Sequence, residues 1–194
     1  ANVTLIRPEH DVIGYDTGPG NTLLDAWCFQ HSGARYDENG TWAKNGTIHE
    51  GLLKILLADP FFTKAPPKST GLEYFNLKWV MNAIRQLGEH IPSQDIQTTL
   101  VELTATTIAN TLNQHPAKHI WIAGGGAKNR YLMERLQQKC SINILSTDVV
   151  GIPLDWIEAS AFAWFAYQTQ HHLPSNIPSV TGAREAAVLG AVYY

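Results

Sequence analysis

The chain has 194 residues, 44% apolar and 16% charged, which suits one domain or two small ones with a sizeable core and excludes a disordered chain. A net charge of −3 and a pI near 6.2 give no electrostatic case for nucleic acid or anionic membrane. Two cysteines, Cys28 and Cys140, exclude a disulfide framework and fit reduced thiols in a cytosolic protein, and no apolar run reaches the length of a membrane span.

The opening stretch, ANVTLIRPEH, lacks the basic-then-apolar order of a signal peptide. It starts directly in strand-like sequence with no initiator Met, as a fragment or processed piece would. Residues 3–6 are a short β-branched run that Arg7 and Pro8 turn, and residues 12–15 form a second strand, so a hairpin is predicted. That strand runs into Asp16 and the tight turn Thr17-Gly18-Pro19-Gly20-Asn21. A helix over 22–31 follows, with Asn21 as N-cap and Gly33 past its end; Leu23, Leu24, Trp27 and Cys28 share its buried face. Strand, acidic residue, glycine turn and helix put Asp16 at the carboxyl end of a strand, where α/β sheets bind ligands. An Asp that hydrogen-bonds its own turn explains the same residues, and both readings stay open.

Residues 36–46 read as a polar loop, and 49–58 as an amphipathic helix built on Leu52, Leu53, Leu56 and Leu57 and stopped by Pro60. Phe61 and Phe62 form an apolar patch in a connection. Residues 65–71, APPKSTG, cannot be regular structure; the cation, hydroxyls and glycine suit either an anion grip or a solvated loop. A helix over 76–87 ends at Gly88. Ser93 is read as the cap of a long helix to about residue 114, with Asp95 complementing its dipole. Ile96, Leu100, Leu103, Thr107, Ile108 and Leu112 form its apolar stripe, and its many threonines require tertiary burial to hold it. A strand at 118–123 ends in a glycine run; a helix over 130–139 and a short strand at 142–145 follow. Residues 155–170 are apolar enough to predict a helix buried on much of its circumference. The tail is predicted to end in a helix or strand over 188–194.

The second glycine site is Gly124, Gly125 and Gly126 with Asn129: three glycines after a strand leave no Cβ where the backbone would meet a ligand, and the following helix N-terminus suits a nucleotide lying against the turn. The spacing is neither GxGxxG nor a phosphate loop, and a tight strand-to-helix turn accounts for it too. Asp155 and Glu158 have capping-box spacing; the alternative for Glu158 is a carboxylate that binds sugar hydroxyls. The histidines give no metal spacing, since Pro116 separates His115 from His119. The aromatics are read as mostly core, and the six tryptophans suit an α/β core as well as a sugar platform.

Read together, Asp16-Thr17-Gly18-Pro19-Gly20-Asn21, Pro66-Pro67-Lys68-Ser69-Thr70-Gly71 with Glu73, and Gly124-Gly125-Gly126 with Asn129 resemble the second half of a bacterial anhydro-N-acetylmuramic acid kinase. The resemblance runs on through Asp155, Glu158 and Thr181-Gly182-Ala183 along nearly the whole chain. It implies an α/β fold: a ribonuclease-H-like lobe of the actin and sugar-kinase type, a mixed sheet flanked by helices, with ATP and Mg²⁺ in the cleft between two lobes. It implies opening of the 1,6-anhydro ring of the sugar by water and phosphorylation of O6, a step of cell-wall sugar recycling in the bacterial cytoplasm. Asp16 matches the family's catalytic base, Gly124, Gly125, Gly126 and Asn129 its adenosine side, and Glu158, Gly18 and Asn21 its sugar side. No metal ligand is assigned, and a homodimer is implied, with loops in 36–71 as contact surface. Two departures stand out. Leu72 occupies a position where the family usually has Arg, and the family's chains are much longer, so that the first lobe and its phosphate contacts are absent here and the isolated chain is expected to turn over poorly or not at all. Another sugar or acid kinase of the superfamily, or a non-catalytic binding domain of the same fold, are the alternatives.

Overall fold

The computed structural model describes residues 1–115 and 117–193. Strands β1 (Asn2–Leu5) and β2 (Ile13–Asp16) form the expected antiparallel hairpin, with Asn2 opposite Asp16 and Leu5 opposite Ile13. Helix α1 (Thr22–Ser32) closes on Gly33, which takes φ +75° and donates its N–H to Phe29 O. A 3₁₀ turn (Glu38–Gly40) and the short α2 (Thr41–Lys44) replace the expected polar loop. They form because both carboxylate oxygens of buried Asp37 accept main-chain bonds, from Trp42 N and Ala43 N, each at 2.9 Å.

Helix α3 (Glu50–Leu57) is capped by the His49 ring, and Pro60 does not merely stop it: it opens α4 (Pro60–Thr63), capped by Asp59. Phe61 is core rather than a patch in a connection; its ring meets Phe75 edge-on at 5.3 Å, and Phe75 meets Trp79 edge-on at 5.0 Å. Helix α5 (Leu77–Leu87) is capped by Asn76 and ends at Gly88 as predicted.

Helix α6 (Ser93–Gln114) is the centre of the molecule. Leu100, Val101 and Leu103 are fully buried, each burial contributing roughly 2 kcal/mol. Its polar residues are buried as well, including Gln97, Thr98, Thr99, Glu102 and Thr104. The threonines manage this by donating back along the helix, Thr99 Oγ1 to Asp95 O at 2.7 Å and Thr98 Oγ1 to Gln94 O at 2.9 Å. Ser93 makes no side-chain cap; the N-cap is Pro92. Helices α1, α2, α3 and α7 (Arg130–Lys139) surround α6, and α5 joins the same apolar cluster by packing on α3 and α1.

Strands β3 (Ile120–Ile122) and β4 (Ile144–Ser146) pair in parallel. The described residues thus hold two separate two-stranded sheets, not one mixed sheet, since each strand has only three or four residues and a single partner. Helix α8 (Ile157–Gln170) overturns the prediction made for it: none of its residues is buried, and Phe162 is 72% exposed. Its close partners are the preceding 3₁₀ turn (Leu154–Trp156) and the tail, where Thr169 Oγ1 bonds Leu189 O, so nothing among the described residues covers its apolar side. Trp121, Trp156 and Trp164 are exposed too, so half of the tryptophans are not core. Helix α9 (Pro178–Thr181) lies on β2, with Ser179 Oγ donating to Val12 O at 2.7 Å. No helix or strand forms over 188–193, and Tyr194 lies outside the described residues, as does Pro116. Among the described residues, no helix is long and apolar enough to cross a membrane, and Cys28 and Cys140 are free and buried.

Candidate functional site

Asp16 is the last residue of β2. Its carboxylate does not bond its own turn. Oδ2 accepts the Thr70 N–H at 2.8 Å, from a loop 54 residues away, and the Asp16 N–H donates to Lys68 O at 3.0 Å. Among the described residues no hydrogen bond reaches Oδ1, which leaves one carboxylate oxygen for a ligand. Asp16 lines a cavity of about 240 Å³ with Gly18, Pro19, Thr22, Thr70 and Phe75. Leu72 lines it as well, so its rim carries an apolar side chain.

The turn after Asp16 is pressed onto α6. A Cβ at Gly18 would stand 3.1 Å from both Phe62 Cε1 and Thr107 Oγ1, a tight contact that those side chains would have to yield by a few tenths of an ångström to admit. Gly20 O accepts from Thr104 Oγ1 at 3.1 Å. Asn21 occupies the N-cap position of α1 but makes no side-chain cap bond; its φ of −77° and ψ of −14° are already helical, which turns the amide away from the helix. That amide faces the second glycine turn instead. A Cβ at Gly126 would lie 3.1 Å from Asn21 Oδ1, and one at Gly125 would lie 3.7 Å from Asn21 Nδ2.

At that second turn Gly124 takes φ +83°, and a Cβ there would meet nothing within 4 Å. The backbone at Gly124 thus faces open space and Gly125 is exposed, while Gly126 is packed against Asn21. Asn129 is committed to the fold: its Oδ1 caps α7 by accepting from Leu132 N at 3.0 Å, and Gly40, at φ +69°, is packed against it. A Cβ at Gly40 would collide with Asn129 Oδ1 and stand 2.6 Å from Tyr131 Cβ. Lys128 pairs with Asp155, which holds the lysine above its ordinary range. Asp155 is therefore an ion-pair partner and not half of a capping box; the N-cap of α8 is Trp156, with no side-chain bond. Glu158 is exposed in the first turn of α8 and does not line the Asp16 cavity. Asp16 and Gly18 thus line one cavity, Asn21 joins the turn after Asp16 to Gly125 and Gly126, and Glu158 does not line the cavity.

Lys68 departs from both readings of its loop. Its side chain does not line the cavity: on a half-buried residue, the ammonium donates to Phe61 O at 3.1 Å and Phe62 O at 3.4 Å. Burial, and then the charge of Lys64, lowers its pKa. Sequence reasoning missed the Thr70 amide as the partner of Asp16, because a main-chain donor leaves no mark in side-chain identity. The docking of Gly40 on Asn129 was signalled only by a glycine in a polar stretch.

Compared with known proteins, the chain matches over residues 1–194 the family described as anhydro-N-acetylmuramic acid kinase. It is 48% identical over 199 residues to the protein of that name from Coxiella burnetii (strain RSA 493 / Nine Mile phase I), covering 100% of this chain and 53% of that protein. The namesake from Pasteurella multocida (strain Pm70) is 48% identical over 197 residues, with 100% and 52% covered. The one from Haemophilus influenzae (strain ATCC 51907 / DSM 11121 / KW20 / Rd) is 46% identical over 206 residues, with 100% and 54% covered. The chain spans about half the length of the curated relatives it matches.

Proposed function

The chain belongs to the anhydro-N-acetylmuramic acid kinase family, and from that premise we propose that it is the second, ribonuclease-H-like lobe of a kinase that opens 1,6-anhydro-N-acetylmuramic acid and phosphorylates O6 at the expense of ATP. The observation that supports this reading is the meeting of the two glycine turns at Asn21, the first of which follows Asp16, whose Oδ1 accepts no hydrogen bond among the described residues.

In this reading Asp16 acts as the general base. Its Oδ1 takes a proton from the water that adds to the anomeric carbon. The bond from that carbon to O6 breaks, and O6 becomes the nucleophile for the γ-phosphorus, which it joins as ADP leaves. Positioning and charge neutralisation dominate such a transfer. Gly124, Gly125 and Gly126 hold the adenosine by close backbone approach, with Asn129 acting through the cap that fixes the turn. Gly18, Asn21 and Glu158 face the sugar. Among the described residues no group of three His, Cys, Asp or Glu could hold a metal alone, so Mg²⁺ would arrive with the nucleotide phosphates. The phosphate contacts of the first lobe lie outside this chain, so the isolated chain binds nucleotide weakly and turns over little. The protein would work in the bacterial cytoplasm, as a homodimer.

The test is a coupled ADP assay with anhydro-N-acetylmuramic acid on the natural full-length protein. Asp16→Asn is expected to lower kcat by about 10²–10⁴-fold, the usual contribution of a general base. An Asp16→Asn variant as active as the wild type would remove Asp16 from the chemistry.

A further inference from the structure

Resting on the reading of Asp16 as the base, we propose that Lys68 is a positioning residue for it: the lysine ammonium, seated on the carbonyls of α4, holds the loop 68–70 that aims the carboxylate.

Residues 68–70 meet the end of β2 as one rung of a ladder does. Lys68 O accepts the Asp16 N–H at 3.0 Å, and two residues on the Thr70 N–H donates to Asp16 Oδ2 at 2.8 Å. One bond fixes the main chain of Asp16 and the other engages Oδ2 and so restrains the carboxylate, in a residue that lines the cavity. The loop itself has little else to hold it. Pro66 and Pro67 have no N–H to give. Among the described residues, its other main-chain bond is the turn from Tyr74 N to Gly71 O.

The side chain of Lys68 supplies the missing anchor. Its Nζ lies 3.1 Å from Phe61 O, 3.4 Å from Phe62 O and 4.9 Å from the centre of the Phe61 ring. These carbonyls belong to α4, a single turn; Phe61 O also accepts the Lys64 N–H at 3.3 Å, whereas Phe62 O has no main-chain partner among the described residues. Phe61 in turn is buried and packed edge-on against Phe75, which lines the Asp16 cavity. The chain of contacts therefore runs from a rigid aromatic cluster through one ammonium to the loop and so to the carboxylate. A lysine that served the cavity directly would point its charge at the ligand; this one spends its donors on main-chain oxygens beside the cavity.

The experiment compares Lys68→Met, Lys68→Gln and Lys68→Arg with the wild type in the natural full-length protein. Steady-state ADP release is expected to show kcat reduced about 10–100-fold in Lys68→Met with KM for ATP within about twofold, since a small misplacement of a catalytic group costs up to about 10². Lys68→Gln, whose neutral amide still donates but carries no charge, falls between, and Lys68→Arg, whose guanidinium can still donate to two carbonyls, returns to within about threefold of wild type. Amide hydrogen exchange, which needs no turnover, is expected to run about tenfold faster at Asp16 and Thr70 in Lys68→Met while the α6 amides stay protected. Unchanged exchange at Asp16 and Thr70 overturns the tether. Faster exchange with unchanged kcat overturns the positioning role. A wild-type protein inactive on the anhydro-sugar strikes the functional reading instead, and the exchange rates still decide the tether.

Discussion

A glycine run can be asked directly whether it serves the fold or a ligand. At Gly125 a new Cβ would meet only Asn21 Nδ2, at 3.7 Å, an ordinary contact. Gly125→Val is therefore expected to leave the thermal midpoint of the isolated chain within about 2 °C, while a branched side chain on the open face lowers ATP affinity at least about tenfold by isothermal titration. A variant that binds as before would place the nucleotide elsewhere. At the same scale, the position of Asp16 at a strand end was legible from local order. Its hydrogen-bond partner was not, because a bond from an amide 54 residues away depends on a loop path that no spacing rule encodes. Asn21 shows the converse: the residue type predicted a cap, but helical φ and ψ at that position sent the side chain to the second glycine turn.

At the scale of elements, α6 and α7 are locked by one buried carboxylate. Glu102 is 4% exposed and accepts from Arg135 Nε at 2.7 Å and Lys139 Nζ at 2.5 Å. Burial pushes its carboxyl up, but the bonds from Arg135 and Lys139 outweigh that and hold it below its ordinary value of 4.5. A depressed folded-state pKa means stability that is present above pH 4.5 and lost as pH falls through the folded value. Glu102→Gln is thus expected to be less stable than wild type by about 2 kcal/mol in urea at pH 7. That is less than the ~3–5 of a fully buried pair, because both partners keep about a quarter of their surface in water. The gap should close below pH 4.5; a gap independent of pH would mean that packing, not charge, holds α7. The length of α6 was legible from its apolar stripe and first-turn Asp. Its burial on all sides was not, because threonines read as weak helix formers until their hydroxyls are seen bonded to carbonyls of the preceding turn.

For the whole molecule, composition spoke for a buried α8 and the structure leaves it bare. Burial belongs to an element's neighbours rather than to its own residues, and the described neighbours do not cover it. Phe162, Trp164 and Tyr167, 72%, 49% and 55% exposed, make a surface of the kind that takes up apolar dyes. The isolated chain is expected to bind 1-anilinonaphthalene-8-sulfonate, and Phe162→Lys to reduce the fluorescence while shifting the melting temperature by no more than about 2 °C, since so exposed a side chain contributes little packing. Undiminished fluorescence would locate the dye elsewhere.

The middle of α6 has a mechanical consequence. Thr104 Oγ1 holds Gly20 O, in the turn that follows Asp16, and Glu102 holds the helix that follows the glycine run. Both halves of the site are therefore bolted to one beam at points two residues apart. They travel together, and a hinge between them would have to break a buried hydrogen bond or a buried ion pair. On the proposed reading of the site, a clamping motion over a bound ligand is expected to pivot outside this beam, with Asp16 and the glycine run as the stationary jaw.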